Sequence, residues 1–492
     1  MKNTIVYLIA ACFAATSCFG IDEENYKTLE PIEITAVSDT ISARLGEELV
    51  YNGISVKSGL NCSYEWVYGA PASGSTAAEP KFAGSSVVSA SATIDHTFTK
   101  IGTYILRLKV DNGESIEFKY FTLNVNMGYD EGVVILNNDA GGNGALTFVK
   151  TLTSEEIAAG EQEVFPDIFS SVNPNLRLKN GTAMFMSDNT MSNVMYSAFL
   201  IATDDEHGTI YHIEPKTFEL FSTARMDGFG TYCQEFGGEY ASSGGFGSFF
   251  RAADGSIFRY DMQLGYLQRM DDFNGCGSIV RTAGLLNRSS ATGKSTISPF
   301  FFSEDTVSTR QSASAGIKCL TESGFKVVNV GCKRTSSTPV YVLLQSRTDP
   351  ESYKIKYGAF SWRSWSSGSS FTNSSLKMDS FSKIINTKSS NDAYYVYGNA
   401  IYRWGLSTAP GTMPAITLPE GETVCDIATN YMGKTAGSEG EDLLYVVTYN
   451  PSRSGDKKGS LYVYRFSDDS LVKSYEGICD KPASVLYKYR LN

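Results

Sequence analysis

Three histidines occur in the 492 residues, His96, His207 and His212. His207 closes the run TDDEHG behind Asp204, Asp205 and Glu206. Imidazole and carboxylate are both metal ligands, so a metal cluster is one reading. Consecutive residues point in different directions, however, and a polar hairpin tip is the reading this spacing favours. NNDAGGNG, from Asn137, is rich in oxygen but lacks the alternating acids and terminal Glu of an EF-hand loop. Neither GxSxG nor HExxH occurs, so the nucleophile-elbow and zinc-protease signals are missing. A carboxylate pair for glycoside cleavage leaves no local motif, because its separation is a property of the fold. No catalytic residue, metal or cofactor is therefore assigned, and an enzyme is the minority reading.

Aromatic residues offer a different chemistry, since sugars and peptides dock on exposed ring faces framed by hydrogen-bonding groups. In GFGTYCQEFGGEYASSGGFGSFF, seven glycines lie between Gly228 and Gly247. Phe229, Tyr232, Phe236, Tyr240 and Phe246 are interleaved with them. In SWRSWSSGSS, Trp362 and Trp365 are three apart and would face opposite sides of a strand. These seven aromatics are the ligand-binding candidates; packing between sheets is the competing role for both stretches. Trp404, in IYRWG, is assigned to packing.

The elements that carry these residues begin with a leader. Lys2 is its only charge, and an apolar core runs from Ile5 to Ala15 before Thr16 and Ser17. About eleven apolar residues are too few to span a bilayer, which needs about twenty, so residues 1–17 read as a secretory signal. Ser17-Cys18 at its end resembles the lipobox of bacterial lipoproteins. That resemblance makes Cys18 the acylated first residue, holding the chain to a membrane through buried methylenes. An ordinary cleaved signal with a chance cysteine is the alternative. Asp22, Glu23 and Glu24 follow within an acidic tether over 18–27. They resemble the surface-export signal of Bacteroidota lipoproteins, against the plainer reading of a solvated spacer.

Composition narrows the classes. The chain is long enough for two or more domains, and a 42% hydrophobic content with 12% aromatics suits a packed β core. The formal charge of −11 disfavours nucleic acid, which needs a basic footprint. No later apolar run approaches bilayer length, so the lipid anchor is the expected membrane contact. Beyond Cys12 and Cys18, cysteines stand at 62, 233, 276, 319, 332, 425 and 479, with no CxxC pair. Their spacing fits neither zinc nor a dense disulfide framework. Cys319 and Cys332 flank a segment of hairpin length and could be bridged; buried free thiols are the competing reading.

Residues 28–127 alternate in short β-like runs, among them IEITAV, CSYEWVYG, TYILRLKV and IEFKYFTLNV, separated by turn-rich breaks. Strand-only periodicity at this density predicts a β-sandwich. Tyr104, Leu106, Leu108 and Val110 fall on one face, as a half-buried strand requires.

Residues 128–492 repeat a phrase: a small or turn residue, an alternating aromatic and aliphatic strand, then a polar turn. Copies begin at Gly208, Gly255, Asn399 and Gly459, with weaker ones at Gly144 and Ser352. Those at 208 and 255 are 47 apart, and those at 255 and 399 are 144 apart. Strand-only periods in the forties predict a β-propeller. One missing copy near 303 makes the count seven; six or eight blades are the alternatives. The predicted fold class is thus all-β, an immunoglobulin-like sandwich followed by a propeller.

CSYEW with GTYILRLKVDNGE resembles a PKD-like domain of immunoglobulin type, which implies a core position for Trp66 against the alternative of an exposed ligand platform, and GYDEGVVILNNDAGGNGALTFV resembles the propeller start of PKD-like surface lipoproteins of Bacteroidota. DEENYKTLEPIEIT resembles that family's tether. The arrangement, more than any single motif, carries the resemblance. It implies an outer-membrane lipoprotein facing the cell exterior, accessory to a SusC/SusD-type importer, that binds a glycan or peptide nutrient without catalysis. A propeller-fold glycoside hydrolase or polysaccharide lyase, or an adhesin, is the alternative.

Overall fold

The computed structural model describes residues 28–191, 194–242, 245–271, 281–288, 295–309, 318–332, 340–358, 366–386, 392–430 and 442–489. Cys18, Asp22, Glu23 and Glu24 lie outside the described residues, as do Cys276, Trp362 and Trp365. The chain divides into two compact units, Met1–Gly128 and Tyr129–Asn492. It is all-β apart from short helical turns, and no helix among the described residues is long and apolar enough to cross a membrane.

In the first unit, Thr40–Arg44, Ile116–Asn126, Gly102–Asp111, Ser63–Gly69 and Ser86–Ser89 form a five-stranded sheet in that order, its first pair parallel. Two two-stranded sheets, Glu33–Ala36 with Ile54–Lys57 and Glu48–Tyr51 with Ile94–Thr97, supply the facing residues. The period of two decides the core: Leu106, Leu108 and Val110 are fully buried on one face, while Arg107 and Lys109 on the other stay half-buried. Trp66 is buried, as expected, with its ring 5.5 Å from Phe121 and edge-on to Tyr51 at 6.3 Å.

The second unit is a succession of antiparallel sheets, seven among the described residues. The second sheet sets the pattern: Gly181–Met191, Val194–Thr203, Ile210–Ile213 and Leu220–Ala224 meander from one edge to the other. Successive sheets touch through their first strands, Gly181–Met191 against Cys233–Ser242, then Arg281–Arg288, Phe325–Cys332, Ile384–Asn386 and Thr423–Thr429. The last of these packs against Lys481–Lys488, which in turn packs against Gly181–Met191. Contacts in cyclic order are the mark of a β-propeller, in which each sheet covers the apolar faces of its neighbours.

Every copy of the repeated phrase is the third strand of its sheet, counted from the ring's inside. The copy missing near 303 is Thr306–Thr309, the third strand of the fourth sheet. Its sequence TVST carries no aromatic residue, and the preceding strand supplies the bulk through buried Phe300, Phe301 and Phe302. The segment of hairpin length between Cys319 and Cys332 is not a hairpin of one sheet. Cys319 sits in the outer strand Lys318–Thr321 of the fourth sheet, and Cys332 ends Phe325–Cys332, the inner strand of the fifth. The linking segment is therefore a crossover between sheets, because in this fold an outer strand must return to the inside.

The ring closes through the C-terminus. Lys481–Lys488 pairs antiparallel with Gly132–Asn138, so the first sheet takes its inner strand from the end of the chain. The approach to this closure is tight. A Cβ on Gly459 would lie 2.1 Å from the Asp480 carbonyl oxygen and 2.6 Å from the Cys479 sulfur. Gly459→Ala is expected to destabilise the protein by about 1–3 kcal/mol, through forced backbone movement. A lower urea midpoint at unchanged slope would register it.

Candidate functional site

The hairpin joining the second and third strands of the second sheet holds the run TDDEHG. Asp205 organises it by accepting from the backbone N–H groups of His207 and Thr209, at 3.0 and 2.9 Å. Burial pushes the Asp205 carboxyl up, but the hydrogen bonds from Thr209 and His207 outweigh it and hold the group below the usual carboxylate range. Asp204 has the opposite fate: burial and the Asp205 charge raise it.

This hairpin docks on the segment that leads to the third sheet. The Met226 N–H donates to the His207 carbonyl at 2.8 Å. Gly208, at φ +58°, leaves no room for a side chain: a Cβ would lie 3.0 Å from the Thr231 carbonyl oxygen and 3.1 Å from Tyr232. His207 Nδ1 is 2.8 Å from Asp227 Oδ2. In a neutral imidazole this contact selects the tautomer with its proton on Nδ1, which leaves Nε2 as an acceptor. Asp227 begins the turn Asp227–Phe229, and Phe229 is 41% exposed, its ring held edge-on at 4.9 Å from buried Phe258. Tyr232 is half-buried; burial and then the Asp204 charge raise its hydroxyl pKa. One end of the second and third sheets thus carries an exposed aromatic ring, an imidazole and carboxylates. That combination can accept hydroxyl or amide protons beside an apolar surface.

The remaining candidates are distributed otherwise. Phe236 packs between sheets, stacked 5.7 Å from Phe185 and edge-on 5.8 Å from Phe250, so its ring serves the core. Tyr240 and Phe246 lie in the paired strands Cys233–Ser242 and Gly245–Ala252, which makes the glycine-rich stretch a hairpin of the third sheet. Trp404 is fully buried and donates from Nε1 to the Thr408 carbonyl at 2.9 Å. His212 is buried in the strand Ile210–Ile213, away from His207's turn. The NNDAGGNG stretch closes on itself: Asp139 accepts from the Gly141 and Asn143 N–H groups and from the Asn143 side chain at 2.7–2.8 Å.

A second feature was not legible in any motif. A cavity of about 480 Å³ opens beside the first sheet, with Tyr129, Phe165 and Asp167 in its lining. Apart from Tyr129, its residues come from the segment after Lys150, whose sequence shows the capping pattern TSEE but no sign of a concavity.

The fold and site define an all-β chain of two units, the second a ring of sheets with an aromatic and acidic end. No family model and no curated protein matches the sequence. Among solved structures it is similar to a quinonprotein alcohol dehydrogenase-like protein from Bacteroides thetaiotaomicron, at TM-score 0.40 and 11% identity over 94% of this chain and 100% of that one. A DUF4784 family protein from Bacteroides caccae matches at TM-score 0.28 and 9% identity over the same shares. The Swd1 β-propeller domain from Myceliophteria thermophila matches at TM-score 0.38 and 12% identity, over 63% of this chain and 90% of that domain. Nothing of those proteins' chemistry is carried over to this chain.

Proposed function

We propose that this protein is a lipid-anchored lipoprotein of the outer membrane that binds a glycan or peptide at the cell surface for a SusC/SusD-type importer. In this reading the first unit is a PKD-like sandwich on an acidic tether, and the second is a seven-bladed propeller. Cys18 carries the acyl chains, Asp22, Glu23 and Glu24 direct export, and the propeller holds the ligand without turnover. The observation that carries the binding half is Phe229, an aromatic ring left open to solvent yet fixed from behind by Phe258, in the loop that pairs Asp227 with His207. An exposed ring braced on one side by a buried neighbour has less freedom to lose on contact, which favours a recognition surface.

Three experiments test the anchoring, the binding and the partner. Cys18→Ser is expected to move the protein from the detergent phase to the aqueous phase and to remove fatty acyl mass from its N-terminus. Phe229→Ala is expected to weaken retention on immobilised polysaccharide or peptide by about tenfold or more, as removal of a central aromatic contact does. Its melting temperature should stay near wild type, since the ring is partly exposed. Isolation from native outer membranes should bring down a SusC/SusD pair; recovery of the protein alone, releasing a cleaved glycan, would replace this reading with a hydrolase.

A further inference from the structure

The first sheet departs from the pattern of the others. In the seventh, the third strand ends at Arg465 and the outer strand begins at Leu471. In the first, the third strand ends at Lys150, the outer strand Val164–Phe165 begins only at Val164, and the next sheet begins at Gly181. The intervening segment contains the helix Ser154–Ala159, the short strand Val164–Phe165 and the helical turn Ile168–Val172. Long excursions from a rigid scaffold are where binding residues concentrate.

This segment forms most of the wall of the 480 Å³ cavity, with Tyr129 from the start of the unit. Part of the lining is aromatic. Tyr129 and Phe165 meet edge-on at 5.2 Å and are backed by Phe148, 5.6 Å from Tyr129 and 6.4 Å from Phe165. Both rings are half-buried. Gln162, Asp167, Ser170 and Ser171 add polar groups to the same lining.

The polar groups are held in place while keeping bonding capacity. Asp167 Oδ1 accepts from the Ser170 N–H at 3.2 Å and the Leu146 N–H at 3.4 Å. Its Oδ2 accepts no hydrogen bond among the described residues. Gln162 donates from Nε2 to the Val164 carbonyl at 2.8 Å, and its Oε1 has no donor among them. The Ser170 hydroxyl likewise has no partner among the described residues. Behind the wall, buried Thr147 donates to the Pro166 carbonyl at 3.0 Å and receives the Asn137 side-chain amide at 3.1 Å.

We infer that this cavity is a binding site for a neutral saccharide. Aromatic rings in the lining take the apolar C–H face of a sugar ring, and the carboxylate, amide and hydroxyl groups beside them take its hydroxyls. The rigid backing lowers the ordering cost of binding. The inference goes beyond the Phe229 end of the molecule and depends on neither anchoring nor an importer.

The test uses the mature chain with Cys18 replaced by Ser, titrated calorimetrically with maltohexaose, cellohexaose, mannohexaose and xylohexaose. Saturable binding of at least one is expected. Asp167→Asn keeps the turn's cap but replaces an acceptor by a donor, and Gln162→Ala removes an exposed group. Each should weaken that binding about tenfold with little change in melting temperature, the loss expected for a hydrogen bond to a fixed polar group. Wild-type affinity in the double variant would place the sugar elsewhere and overturn the proposal. Failure of all four saccharides to bind would overturn it too, as would saturable binding of trilysine in their place.

Discussion

Ending the chain at Asp480 is expected to abolish folding of the second unit. The residues removed begin with the strand Lys481–Lys488, whose Val485, Leu486 and Tyr487 are all buried between the first sheet and the inner strands of its neighbours. Each such side chain is worth about 1.5–3 kcal/mol on burial, so the three together rival the 5–15 kcal/mol that typically separates a domain from its unfolded state. Polar contacts go with them. The Val485 N–H donates to Asp426 at 2.9 Å, and Lys488 donates to the Asp130 carbonyl at 2.7 Å. Loss of the strand also leaves Gly132–Asn138 as an open edge on an apolar sheet, an invitation to aggregate. The truncated chain should lose near-ultraviolet circular dichroism and become protease-sensitive beyond residue 129, while the first unit, with its own core around Trp66, resists digestion. A truncated chain that unfolds at the wild-type urea midpoint would refute closure through this strand.

A large pH effect is expected from His212. Its side chain is buried in the second sheet with Nδ1 3.4 Å from the Tyr260 hydroxyl, which lies 3.3 Å from Ser222 Oγ. Burial lowers its pKa from 6.5 to about 4. The unfolded chain then takes up a proton near pH 6.5 that the folded chain refuses until about pH 4. The contribution is complete above pH 6.5 and drains away as pH falls through that window, by about 2 kcal/mol on reaching pH 5. His212→Gln keeps a polar group at the site and removes the titration. The wild type should lose more stability than this variant between pH 7.5 and pH 5, by that amount, in urea unfolding at the two pH values. Equal losses in both proteins would assign the pH dependence elsewhere.

Local periodicity was strong enough to reveal several of these elements. Alternation in TYILRLKV is visible because a strand's side chains must take opposite faces, and the burial of Leu106, Leu108 and Val110 follows from it. The repeated phrase was visible because the third strand of a sheet is packed on both faces. Ile210 and Ile213 in one copy, and Leu461 and Tyr462 in another, are buried within runs that periodicity can detect. TVST at 306–309 escaped because its bulk was moved to the neighbouring strand, which no count of phrases can see.

By itself, then, the sequence determined strand content and the position of the repeating unit, since these depend on neighbours a few residues away. Only the tertiary structure decided that the last strand belongs to the first sheet, that Phe236 faces a core while Phe229 meets solvent, and that Asp227 pairs with His207 twenty residues before it. The cavity beside Tyr129 belongs to the same class. Its lining meets across a separation of more than thirty residues, and concavity is a relation between surfaces that no run of side chains encodes locally.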